Sequence, residues 1–116
     1  MWTHIVLVAV GGAVGSVLRY LTAVWMGPQD TFPWGTWTAN VLGCFLIGFL
    51  TAKWPENAEY RYLLVTGFCG GYTTFSTFAL EAQVLWGRQM PFGALLYVLA
   101  SIVAGWLAVW AGRMLG

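Results

Sequence analysis

The sequence predicts an all-α integral membrane protein of four transmembrane helices, the third broken near its middle. Three observations carry this reading. The chain is 59% hydrophobic and only 8% charged, against roughly a quarter charged residues in a soluble domain, so it cannot cover a surface facing water. The charged residues (Arg19, Asp30, Lys53, Glu56, Glu59, Arg61, Glu81, Arg88 and Arg113) stand apart from one another and leave apolar runs between them. About 20 helical residues cross a bilayer core. Within the third run, the stretch GFCGGYTTFSTF (67–78) packs three glycines, three threonines, a serine and three phenylalanines where an ordinary span would hold Leu, Ile and Val.

The elements follow in order, in one membrane domain covering 1–116. The first span is expected over 3–26. It is too long for the apolar core of a signal peptide and lacks a basic leader. The connection GPQDTFP breaks it, since Gly-Pro and Phe-Pro cannot continue a helix. The second span is expected over 35–53, followed by the charged loop WPENAEYR. The third is expected over 62–87 with its break at 70–73, and GRQMP ends it. The fourth is expected over 92–114. At 1.5 Å per residue the third span exceeds the thickness of a bilayer core. The adjacent Gly70 and Gly71 near its middle weaken a helix.

Cys44 and Cys69 both fall inside spans, where cysteine acts as a small hydrophobe, and a lone His4 supports no zinc site. No basic patch suits nucleic acid. Orientation follows Lys/Arg asymmetry in short loops. One side holds Lys53, Arg61 and Arg113; the other holds Arg88 and, more loosely, Arg19. That near balance suits either one fixed topology under a weak bias or a chain that inserts both ways and pairs with an inverted copy. Gly11 and Gly15, four apart in the first span, offer a face for close helix approach.

Each later span carries a short polar line at helical spacing. The second has Thr36 and Asn40 one turn apart, then Gly43. The third has Thr74, Thr77 and Glu81 on one face, with Phe75 and Phe78 as neighbours. The fourth has Tyr97 and Ser101. Polar groups inside a membrane are costly unless they meet a partner or a cavity. Either they bond back to their own helices, or three helices share a hydrophilic track. A break at GGYT would free backbone carbonyls able to hold a cation, and such irregular backbone is tolerated only within protein or beside a cavity. The alternative is a kink for close packing. The donors along the track are Asn, Ser, Thr and Tyr, with no carboxylate ring of the kind a cation channel favours. An aromatic ring is positive at its edge. Phe edges with hydroxyl and amide donors therefore suit a small, hard anion. Arg19 either draws anions into a vestibule or snorkels to the interface.

Three segments, GGAVGSVLRY (11–20), GTWTANVLGCFLIG (35–48) and GFCGGYTTFSTF (67–78), resemble the signature segments of the Fluc (CrcB) fluoride channels, and the resemblance extends over the whole chain. It implies an antiparallel, dual-topology homodimer in the bacterial inner membrane that passively exports toxic cytoplasmic fluoride through two pathways. It implies a structural sodium ion at the dimer centre, held by backbone carbonyls matching Gly70 and Thr73. Phe75 and Phe78 match the paired pore phenylalanines and Asn40 the pore asparagine of the second helix. Thr77, Glu81, Tyr97 and Ser101 match the polar track, and Arg19 the arginine near the vestibule. Trp37 stands where the family often has an aliphatic residue, and is expected to face lipid or a neighbouring helix.

The competing class is a proton-coupled small multidrug resistance transporter, also a four-span dual-topology dimer. That class needs a membrane-embedded carboxylate in its first helix; here the first span has none, and Glu81 lies in the third. An enzyme is not expected, since Asp30, Glu56 and Glu59 are scattered in loops and assemble no metal–nucleotide site.

Overall fold

The computed structural model describes residues 1–27, 32–54, 56 and 58–116. Most of the GPQDTFP connection, including Asp30, and Pro55 and Asn57 of the second loop lie outside the described residues. The first helix is Trp2–Met26 and the second Trp34–Lys53. The third span begins with a short α turn, Glu59–Arg61, and continues as a wider π-helical stretch, Tyr62–Cys69, and a last α turn, Gly70–Tyr72. Helix resumes at Phe75–Gly87. The fourth helix is Pro91–Leu115. Among the described residues, four segments are long and apolar enough to cross a membrane. The long axis of 47 Å matches a hydrocarbon core of about 30 Å plus its headgroup layers.

Local chemistry sets the ends. The first helix stops at Gly27, whose φ of 82° lies in the left-handed region, and the Gly27 amide closes on the Val24 carbonyl at 3.2 Å. Pro91 opens the fourth helix in its first turn, where a missing amide hydrogen costs nothing. The observed spans begin a residue earlier than expected in the first, second and fourth cases and three residues earlier in the third.

Two helix pairs dominate the packing. The second helix lies along the fourth; a Cβ at Gly112 would overlap the Phe45 carbonyl oxygen. The first helix lies along 59–72, and a Cβ at Gly11 or Gly15 would strike the carbonyls of Leu63 or Phe68. The small-residue face of the first span thus has its partner within the same chain. Among the described residues, few large side chains are buried. One cluster joins Leu85, Ala94 and Tyr97, with Phe32, Trp37, Phe78, Ala82 and Met90 against it. Val10, Val17, Leu96, Ile102, Trp106 and others stay exposed, as expected of a protein whose surrounding solvent is lipid.

The third span departs from the expected break. Gly70 is helical (φ −62°, ψ −37°), and Gly71 and Tyr72 continue that turn. The extended residues are Thr73 (φ −88°, ψ 158°) and Thr74 (φ −151°, ψ 123°). Gly71 serves close approach instead: a Cβ there would lie 3.0 Å from the Gly12 Cα. Two β-branched threonines accept extended backbone more readily than a helix does. The two-residue interruption is called the elbow below.

Candidate functional site

The elbow gathers polar atoms from both neighbouring helices. The Asn40 side chain meets the Thr74 backbone twice: the Thr74 amide donates to Oδ1 at 2.8 Å, and Nδ2 donates to the Thr74 carbonyl at 3.1 Å. On the other side, Arg19 Nε donates to the Gly71 carbonyl at 3.0 Å. In an uninterrupted helix that carbonyl would take the amide of Phe75. A guanidinium at a helix C-terminus satisfies an orphan carbonyl and opposes the helix dipole. Thr22 Oγ1 and the Tyr72 hydroxyl pair at 2.9 Å, tying the same turn to the first helix.

The threonines of the elbow divide their work. Thr73 Oγ1 bonds back to the Cys69 carbonyl at 2.8 Å. Thr74 Oγ1 accepts the Thr77 amide at 3.2 Å and so caps the helix Phe75–Gly87. The expected helical face of Thr74, Thr77 and Glu81 is therefore revised. Thr74 precedes the helix, and only Thr77 and Glu81 lie on it.

Beside the elbow runs a groove of about 520 Å³, lined in part by Asn40, Gly70, Thr73, Phe75, Phe78 and Ser101. Phe75 stands 78% exposed at its edge. Its ring lies 5.9 Å from that of Phe78, which lies 5.1 Å from the ring of Tyr97. Tyr97 has no exposed surface, and its hydroxyl donates to Glu81 Oε1 at 3.3 Å. Rings and polar tips thus form a continuous row: Phe75, Phe78, Tyr97, Glu81. Among the described residues, Ser101 Oγ is the one buried side-chain polar atom without a hydrogen-bond partner.

The fold therefore brings most of the expected residues together, but not all of them. Asn40, Gly70, Thr73, Phe75, Phe78 and Ser101 share the groove, with Tyr97 and Glu81 behind Phe78. Thr77 is half-buried and is not among the lining residues. Arg19 lies across the elbow, bonded to Gly71. Trp37 packs toward the fourth helix, its indole Nε1 donating to the Ala100 carbonyl at 3.3 Å. Phe32, overlooked in the sequence, sets its ring edge-on to Tyr97 at 5.3 Å. Thr22 was also overlooked; its spacing of three from Arg19 puts both on one helical face.

Comparison with known proteins adds a family. The model of the family described as CrcB-like protein, Camphor Resistance (CrcB), matches residues 6–113. A Rhizobium meliloti (strain 1021) protein named fluoride-specific ion channel FluC is 49% identical over 120 residues, covering 97% of this chain and 94% of the relative. Proteins of the same name from Rhizobium etli and Chlorobium chlorochromatii are 49% and 45% identical, covering 91% and 94% of this chain and 90% and 88% of the relatives. Together with four apolar spans, these matches make the chain a multi-pass membrane protein that belongs to the CrcB-like family.

Proposed function

We propose that the chain is a fluoride-selective passive channel that exports cytoplasmic fluoride across the bacterial inner membrane. It works as an antiparallel, dual-topology homodimer with two pathways. It transports and catalyses no reaction, in keeping with relatives named as fluoride-specific ion channels. The observation that carries this reading is the groove beside the elbow. One wall offers the rings of Phe75 and Phe78 and the unpartnered Ser101 hydroxyl, while Phe75 projects from the subunit. Ring edges and a free hydroxyl are what a small anion needs once it sheds water. A second, inverted copy supplies the facing wall. Two copies give two such grooves.

The elbow also fits a central sodium ion. The Thr74 amide is taken by Asn40, so the Gly70 carbonyl lacks the helical donor four residues on. Gly70 is exposed, nothing stands within 4 Å of where its Cβ would be, and it lines the groove with Thr73. The carbonyls of Gly70 and Thr73, with their inverted counterparts, would hold the ion. Neutral oxygens of this kind suit a monovalent cation better than a divalent one. The ion would supply a fixed positive charge between the two pathways.

The deciding experiment is flux from liposomes reconstituted with the purified chain. Fluoride is expected to leave down its own gradient, at the same rate after the proton gradient is collapsed. Transport that stops with the proton gradient would instead indicate a coupled transporter of the small multidrug resistance type. Assembly is checked separately. A C-terminal tag labelled from one side of the membrane should be modified in about half of the molecules, given the balanced Lys/Arg distribution. Labelling of nearly all or nearly none would refute the inverted pair.

A further inference from the structure

We propose that Asn40 is a positioning residue that builds the elbow within each subunit by holding both backbone polar groups of Thr74. This deepens the channel reading, and rests on it only for the effect on flux.

The argument starts from what the interruption costs. Extended backbone at Thr73 and Thr74 removes helical hydrogen bonds at membrane depth, where no water replaces them and each orphan group is expensive. Asn40 restores two. Its Oδ1 takes the Thr74 amide and its Nδ2 meets the Thr74 carbonyl, the pairing a neighbouring strand would offer an extended residue. Because the Thr74 amide can only donate and its carbonyl only accept, the amide orientation of Asn40 is fixed by this contact.

Other side chains also hold the elbow. Arg19 takes the Gly71 carbonyl, Thr22 pairs with Tyr72, and Thr74 Oγ1 caps the helix that follows. Asn40 sits 34 residues before Thr74, so the contact also fixes the second helix against the third span. Phe75 follows Thr74 directly, and Phe78 is one turn on. The rotation of both rings is therefore set where Asn40 grips the backbone. An amide already committed at its oxygen and at one hydrogen has a single N–H left for an ion. Holding the elbow is its principal task.

The test uses the full chain reconstituted in nanodiscs without fluoride, with threonine and asparagine labelled by ¹⁵N. The sequence has only Asn40 and Asn57, so the side-chain amide signals are few. In the wild type the Thr74 amide and one Asn40 Nδ2 proton are expected to exchange slowly. They should do so equally in sodium and in a large organic cation. Asn40→Ala and Asn40→Leu should each speed Thr74 exchange about tenfold or more, with protection in the first helix unchanged and flux reduced. Asn40→Leu keeps the approximate bulk but offers neither donor nor acceptor, so it reports on the contact if the alanine variant does not assemble. Fast Thr74 exchange in the wild type would overturn the proposal. So would protection that appears only with sodium, or lost flux with Thr74 protection intact. A wild-type chain that protects Thr74 yet passes no fluoride would refute the channel reading and leave this inference standing.

Discussion

Gly15→Val is expected to prevent the subunit from assembling its elbow. Any Cβ at this position would overlap the Phe68 carbonyl oxygen, and it would lie 2.9 Å from the Tyr72 amide nitrogen. Both obstacles are backbone, so no side-chain rotation relieves them. The first helix must move away from 59–72, and with it go the Arg19–Gly71 and Thr22–Tyr72 hydrogen bonds. Overpacking alone costs about 1–3 kcal/mol; each buried polar group left without its partner adds about 1–3 kcal/mol. The sum is large against a typical total stability of roughly 5–15 kcal/mol. Unfolding of purified protein in detergent should show a much lowered midpoint or no folded species, and flux should be absent. Gly87→Ala is the control, since nothing stands within 4 Å of its added Cβ. That variant should retain wild-type stability and flux. Equal behaviour of the two variants would show that the glycine face of the first helix is not what seats the elbow.

Phe78→Ile is expected to lower fluoride flux by one to two orders of magnitude while the protein still folds. Isoleucine keeps most of the bulk but lacks a ring, and the Phe78 ring stands 5.9 Å from Phe75 and 5.1 Å from Tyr97. Each aromatic contact contributes about 0.5–1.5 kcal/mol beyond its buried area, and each 1.4 kcal/mol is roughly tenfold in an equilibrium constant. Losing both removes the Phe78 ring edge from the middle of the row and loosens Tyr97, whose hydroxyl holds Glu81. Phe75→Ile should act differently on the subunit, because Phe75 is 78% exposed and contributes little to its core. Its effect should appear in flux and in the strength of the proposed dimer, with the stability of the folded subunit nearly unchanged. Unaltered flux in both variants would reduce the two rings to packing.

The two results read the same feature from opposite sides. Gly15 seats the first limb of the third span, while Phe78 belongs to the second limb. Between them lie only the elbow residues and the helix turn on either side. A change that shifts either limb changes what the groove presents, because the groove takes its lining from both: Cys69 and Gly70 before the elbow, Phe75 and Phe78 after it.

The sequence by itself determined the four spans and the neighbouring of Phe75 and Phe78. The bilayer makes those features local. Every backbone group in lipid must find its partner within its own helix, so a run of apolar residues is already a helix, and helical spacing alone makes Phe75 neighbour Phe78. Only the tertiary structure decided where the interruption falls and what holds it. The glycine pair marked the region but stayed helical, because Gly71 is needed for the approach to Gly12. The extended residues came at Thr73 and Thr74, where side chains from two other helices could meet the freed backbone. Asn40 lies 34 residues from its partner and Arg19 lies 52 from its own. No local pattern encodes which carbonyl a distant arginine will reach. That is settled by how closely the glycine faces let the helices approach, and so by packing across the whole chain.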